Sequence, residues 1–316
     1  MNRPWRLFSA LCFAATVATP GAFASEHSLV VGDEFQYAVR RGDTLAGIGA
    51  RYGVEAASLA ARNGLPSSSA RLVAGRKLHI DDRHIVPRSL TDGILINIPQ
   101  RLLFYFEGGR LVAWYPVGLG QPGSWQTPTG SYKVVALEKN PVWKVPPSIQ
   151  AEMRSKGERV REVVPPGKDN PLGKYRLRLS LDCCGIHSTT APQSIYRFQT
   201  HGCIRLAPAN AKELFSRVAT RLPVEIIYEP VLAARDKDGT TFLEVHPDIY
   251  NHSEDQTPTA DAIAYGQGLL SARESPLWQK TVQTEEGIAV PLTSPSLLAL
   301  PAGEGWGEGI PSGRQD

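Results

Sequence analysis

Between Gly93 and Glu229, short β-rich runs alternate with glycine- and proline-bearing turns, a rhythm that admits only an all-β or β-dominated domain. Val134–Leu137, Tyr175–Leu179 and Val224–Tyr228 are the clearest strands. Tyr175–Leu179 alternates polar and apolar residues, which predicts one solvated face. A helix is expected from Pro208 to Val218, because proline suits a first helical turn and Leu214, Phe215 and Val218 share a face. Residues 140–173 form a long, proline-rich excursion. A loop of that length in a compact domain is usually functional, and Trp143 with the prolines predicts an ordered lid or substrate wall.

Residues 36–81 follow a different pattern. Tyr37–Arg40 reads as a short strand, and Arg41–Thr44 as a turn in which Asp43 or Thr44 caps the next helix. Leu45, Ile48 and Tyr52 recur at helical spacing up to Gly53, a second helix covers Ala56–Asn63, and Val73–Ile80 is a turn and closing strand. The order is strand, helix, helix, strand. Residues 81–92 read as a linker, and His79 and His84 read as surface or linker residues outside any metal-ligand spacing.

The stretch that carries chemistry is Thr200-His201-Gly202-Cys203-Ile204-Arg205, with a second histidine, His187, upstream and twelve residues between it and Thr200. A thiol, an imidazole and a cation are what acyl transfer through a thioester requires. The thiolate is the nucleophile, and a neighbouring imidazolium or Arg205 is expected to lower the thiol's pKa. Gly202 lets a substrate carbonyl approach the backbone N–H groups around His201–Cys203, which can form an oxyanion hole. Arg205 is suited to a substrate carboxylate by its planar fork, with a structural ion pair as its other reading. Spacing alone leaves His187 and His201 both open as the base.

The block Ile186–Leu206 resembles the active-site motif of the L,D-transpeptidases of the YkuD fold, in which an upstream His precedes Ser/Thr-His-Gly-Cys, a hydrophobic residue and Arg or Asn. Other landmarks fall in the same order: Ile94–Gln100 with Leu102–Phe106, Pro116–Gly120 with Thr127–Gly130, Asn140–Trp143 with Pro146–Ile149, and Pro165–Gly167 with Asp169–Gly173. The resemblance implies a mainly β catalytic domain over 93–229, a YkuD-like β-sandwich with a short helix after the nucleophile loop. It implies Cys203 as nucleophile, His187 as base, the Ser188 carbonyl as the group orienting the imidazole, and supporting roles for His201 and Gly202. Thr200 and Arg205 are assigned to substrate binding. Many relatives have Gly where this chain has Ser188, but either residue supplies the carbonyl. Residues 36–81, with Arg-Gly-Asp-Thr-Leu and Arg-Tyr-Gly-Val, resemble a LysM domain, a small α+β (βααβ) unit that binds glycans containing N-acetylglucosamine.

The implied substrate is peptidoglycan. Cys203 would release D-Ala from a tetrapeptide stem and pass the acyl group to an amine, giving a 3→3 cross-link or attachment of an outer-membrane lipoprotein. An L,D-carboxypeptidase would use the same residues with water. A wall-binding protein without catalysis would use the LysM unit and ignore Cys203.

Residues 1–24 read as a secretory signal, with Arg3 and Arg6, an apolar run over 7–18 and a small-x-small site at Ala22–Ala24. The expected location is the periplasm. Leu11 before Cys12 is too large for a lipoprotein-type cleavage site. Removing 1–24 takes away two arginines and lowers the formal charge from +3 to +1, unlike the clustered basic charge of a nucleic-acid binder. No later run is long enough for a transmembrane helix. Three cysteines remain: Cys203, assigned as the free thiol, and the adjacent Cys183 and Cys184. The latter are expected reduced and half-buried, since a bond between neighbours would be strained. A sharper reading has Cys183, which shares parity with His187, reach Cys203 under oxidation. Residues 230–290 read as a C-terminal extension and 291–316 as a disordered tail. No motif calls for a cofactor or metal.

Overall fold

The computed structural model describes residues 29–253 and 255–293, so the leader expected at 1–24 and most of the tail expected at 291–316 lie outside the described residues. Nine strands form one sheet, in the order Phe198–Thr200, Arg110–Gly120, Ile204–Leu206, Gly185–His187, Tyr175–Leu179, Gly130–Lys139, Pro223–Ile227, Gly93–Asn97 and Leu102–Glu107. Leu102–Glu107 also pairs with Arg110–Gly120, so eight strands close on themselves and the two layers of the expected β domain are continuous. Closure is possible because Arg110–Gly120 is eleven residues long. Its first part faces Leu102–Glu107 and its last part faces Ile204–Leu206. The interior is Ile94, Ile96, Leu103, Val117, Ile186, Ile204 and Val224, all fully buried. Each such side chain contributes about 1.5–3 kcal/mol through burial. The helix expected after the nucleophile loop is Pro208–Arg217, and Ala211 and Leu214 seal it onto this core.

In the N-terminal unit, Glu34–Ala38 pairs with Lys77–Asp81 around helices Leu45–Tyr52 and Ala56–Arg62. The first strand begins before Tyr37, because Glu34 and Phe35 face Asp81 and Ile80 in the ladder. Of the two candidate caps, Thr44 caps the helix through its hydroxyl and the Gly47 N–H, 3.0 Å. The Asp43 carboxylate instead accepts from Tyr37 Oη at 2.6 Å and the Arg40 N–H at 2.8 Å.

Residues 81–92 are not a free linker. His84–Ile85 pairs with Val30–Val31, and His84 is completely buried. The C-terminal extension is a lobe of its own. Strands Val231–Arg235, Thr241–Val245 and Val290–Thr293 form its sheet, and helices Thr257–Gly266, Leu270–Arg273 and Pro276–Thr284 cover it around Trp278. Pro291–Thr293 therefore belong to this lobe, which moves the start of the expected tail beyond them.

Candidate active site

Strand alternation places the site. Gly185–His187 runs parallel to Ile204–Leu206, with Ile186 opposite Ile204 and His187 opposite Arg205. Ile186, Ile204 and Leu206 point into the core, so His187, Cys203 and Arg205 lie on the other face, brought together by register. His187 is buried, and its Nδ1 meets the Ser188 carbonyl at 2.5 Å. The Nδ1–H donates there, which leaves Nε2 as the proton acceptor. Burial, reinforced by the charges of Arg205 and Arg176 and opposed by the Ser188 carbonyl, pulls the His187 pKa down to about 4. The imidazole is neutral at physiological pH.

Cys203 is the free thiol. Its residue is partly exposed, but the sulfur is largely enclosed, and burial pushes the thiol up from its ordinary value. The Gly185 N–H, Arg176 and Arg205 act in the opposite direction and are outweighed. The sequence expectation of a thiol activated by a nearby cation is thereby corrected. Desolvation exceeds the cationic stabilisation, and the resting pair is neutral thiol and neutral imidazole. Arg205 is half-buried, its Nε has no partner, and it makes no salt bridge among the described residues.

The loop between the strands is braced from several sides. Thr200 is fully buried and its hydroxyl donates to the Cys203 carbonyl at 2.6 Å. It closes the turn, and its hydroxyl, assigned from the sequence to substrate binding, is turned into the loop. Gly202 has φ +97°, and a Cβ there would sit 2.9 Å from the Cys184 sulfur and 3.3 Å from the Gln126 carbonyl. The Thr127 hydroxyl accepts from the Gly120 N–H at 2.9 Å and donates to the Gly202 carbonyl at 3.1 Å, which explains why Thr127 stands out in the sequence. Tyr250, from the C-terminal lobe, donates to the Gly120 carbonyl at 2.7 Å and accepts from the Thr127 N–H at 3.1 Å. The N–H groups of Gly202 and Cys203 donate to no carbonyl in the described loops.

His201 is engaged by the 140–173 excursion and by Trp125. Its Nε2 meets Glu152 at 2.6 Å, and the Trp125 ring stands edge-on to it at 4.5 Å. Glu152 lies on helix Pro147–Ser155, inside the 140–173 excursion. That excursion is ordered, as expected. The buried Asn170 amide donates to the carbonyls of Pro141, Val164 and Pro165. Gly173, at φ +65°, lets the chain pass against Ser188, whose Cβ would be 2.8 Å from any side chain there.

Cys183 and Cys184 are bonded to each other, across the bend at Asp182–Cys183. The expectation of two half-buried reduced thiols is corrected: Cys183 is exposed, Cys184 is buried, and it is Cys184 that faces the nucleophile loop. The pairing also takes up the Cys183 sulfur that the redox reading directed at Cys203.

One group of metal-ligating side chains occurs among the described residues: His84, Glu244 and His246, all buried. Glu244 already takes one nitrogen from each ring, and the buried His246 Nδ1 is left without a partner. Glu244 Oε1 accepts from His84 at 2.8 Å, His246 at 2.7 Å and Gln100 at 3.0 Å, and Oε2 accepts from the Ile85 N–H at 2.6 Å. His84 also meets the Gly53 carbonyl at 3.0 Å, so both of its ring nitrogens are engaged. The cluster is a hydrogen-bonded clasp, and it corrects the reading of His84 as a linker residue. Nothing local in the sequence announces it, because its members lie 160 residues apart.

Comparison with known proteins follows the same outline. A family profile described as the L,D-transpeptidase catalytic domain (YkuD) matches residues 91–226, and one described as the LysM domain matches 37–81. "Probable L,D-transpeptidase YbiS" of Escherichia coli K12 is 33% identical over 214 residues, 67% of this chain and 66% of that protein, just under two thirds of its length. "Probable L,D-transpeptidase YcfS" of the same strain is 31% identical over 86% of this chain and 87% of its own length. "Probable L,D-transpeptidase ErfK/SrfK", also from that strain, is 30% identical over 91% and 96%.

Proposed function

This chain belongs to the L,D-transpeptidase family, and on that premise we propose that it is a cell-wall acyltransferase with Cys203 as nucleophile and His187 as base. The observation that carries the reading is the oriented neutral imidazole: Nδ1 is held by the Ser188 carbonyl and Nε2 is left for the thiol proton. As the Cys203 sulfur attacks the carbonyl between the third stem residue and D-Ala, its proton moves to His187. The Gly202 and Cys203 N–H groups stabilise the oxyanion, and a donor of this kind is typically worth about 10²–10³ in rate. His187 returns the proton to the leaving D-Ala amine, and a thioester remains. An acceptor amine attacks it, gives its proton to His187 and restores the thiol. Arg205 binds a substrate carboxylate, and its unpartnered Nε supports that role. Wall attachment through the LysM unit, export to the periplasm and a lipoprotein lysine as acceptor belong to the same proposal. No described helix is long and apolar enough to cross a membrane.

The test is mass spectrometry of products after mixing the protein with a purified disaccharide-tetrapeptide. A cross-linked dimer lacking one D-Ala is expected, and Cys203→Ala should give neither dimer nor acyl-enzyme. Tripeptide alone would assign the site to hydrolysis. An active Cys203→Ala enzyme would overturn the nucleophile.

A further inference from the structure

The N-terminal unit carries a cleft of about 880 Å³ between the Arg40–Ala46 turn and the Ser68–Ala74 segment, and its far wall includes Arg197, a residue of the catalytic domain. Arg197 also lines an adjoining hollow of about 380 Å³, between the two helices of the unit and the strand Phe198–Thr200. The two units are fixed against each other there. Buried Arg101 pairs with Glu55 of the N-terminal unit at 2.6 Å and lies 4.0 Å from the centre of the Tyr196 ring. Ala50 packs into the cluster formed by Phe104, Ile195 and Tyr196.

The charge around the cleft is unbalanced. Arg40, Arg41, Arg71 and Arg197 are exposed, and none makes a salt bridge among the described residues. The one carboxylate in the cleft, Asp43, is taken by Tyr37, the Arg40 N–H and Arg51. A neutral sugar chain has no use for four unpaired guanidinium groups, whereas a sugar chain bearing peptide carboxylates does.

We propose that Arg197 joins the two units into one binding site, reading the carboxylates of peptide stems on a glycan held in the cleft. The inference rests on the peptidoglycan reading above and adds its positioning: the glycan is held at a fixed place relative to Cys203. Arg197 and Cys203 are six residues apart, so the chain between them spans at most about 20 Å, less once the Thr200–Cys203 turn is counted. A three-residue stem extends about 10 Å, and its sugar covers the remainder. A stem-bearing sugar seated beside Arg197 thus lies within reach of the nucleophile.

The experiment compares the full chain with Arg197→Glu and Arg197→Lys. The probes are a tetrasaccharide bearing tetrapeptide stems, the free tetrapeptide and a stem-free N-acetylglucosamine oligomer. Binding is read by calorimetry, and acyl transfer by the ratio of kcat/KM for glycan-linked over free stems. Arg197→Glu should weaken binding of the stem-bearing tetrasaccharide about tenfold and remove the parent's preference for glycan-linked stems, and Arg197→Lys should recover part of both. Parental binding should weaken with added salt for the stem-bearing probe more than for the stem-free one. Unchanged binding in Arg197→Glu would overturn the proposal. An equal loss with the stem-free oligomer would also overturn it, since Arg197 would then shape the cleft without reading carboxylates. If no protein transfers any acyl group, the catalytic reading fails and the binding arm still decides Arg197.

Discussion

Cys203 and His187 are each held neutral by burial, and that state sets how the site responds to pH. His187 is held to about 4, so acyl transfer should rise with pH through about 4 and level off, with no break near the ordinary histidine value of about 6.5. A lowered folded-state value also means that folding favours the neutral ring. Its stability contribution is complete above about 6.5 and is lost as pH falls toward 4. Because burial raises the Cys203 thiol, iodoacetamide should alkylate it more slowly than free cysteine at pH 7.5. A pH–rate profile with an acid limb near 6.5, or fast alkylation at neutral pH, would refute the neutral pair. Gly202 is the second test. Alanine at φ +97° costs roughly 1–2 kcal/mol, and its Cβ would press on the Cys184 sulfur. Gly202→Ala should lower acylation about 10²-fold by displacing Cys203, with a melting temperature only a few degrees lower. Intact-mass acylation and calorimetry check both parts.

The excursion over 140–173 acts on the site through one helix. Glu152 on Pro147–Ser155 meets His201 at 2.6 Å, and bonds from Lys156 and His201 hold its carboxyl below the usual range. The pair is partly exposed and screened by solvent, so it adds little to the stability of the fold. Glu152→Ala should therefore leave the fold intact, lower kcat/KM roughly fivefold, and speed amide exchange across 147–155. Unaltered exchange would show that the helix is held by other contacts. The elements themselves were legible: the 134–137, 175–179 and 224–228 strands and the 208 helix follow from local alternation and proline placement. The partners across the fold were not. Glu152 beside His201, Tyr250 beneath Thr127 and the Cys183–Cys184 bond depend on how distant segments meet, which no local period records. The inward turn of the Thr200 hydroxyl was hidden for the same reason, although its motif position is adjacent to the chemistry.

Three units meet at the clasp of His84, Gln100 and Glu244 with His246, which joins the segment after the N-terminal unit, the barrel and the C-terminal lobe. Contacts at its edges tighten the same joint. Ser58 donates to the Glu286 carbonyl, Arg62 pairs with Glu286 at 3.0 Å, and Ile288 enters the core of the N-terminal unit. Burial works to raise the Glu244 carboxyl, but the His84 charge and the bonds from both imidazoles hold it well below the usual range. The stability it supplies is thus present above its ordinary value of about 4.3 and is lost as pH falls through the folded value. His246, buried and lowered, loses its contribution earlier, as pH falls below about 6.5. Glu244→Gln removes the anion opposite His84 and turns an amide N–H₂ toward donors, a change that breaks a buried pair and costs about 3–5 kcal/mol. At about 2–4 °C per kcal/mol in a chain of this size, melting should fall by roughly ten degrees. If the clasp is what makes the units unfold together, the parent should melt in one calorimetric transition at pH 7 and the variant in two, with the C-terminal lobe leaving first. Because Tyr250 braces the nucleophile loop from that lobe, acyl transfer should disappear across the first transition and not the second. A variant that melts in one step at the parental temperature would show that the units are held by their apolar contacts alone.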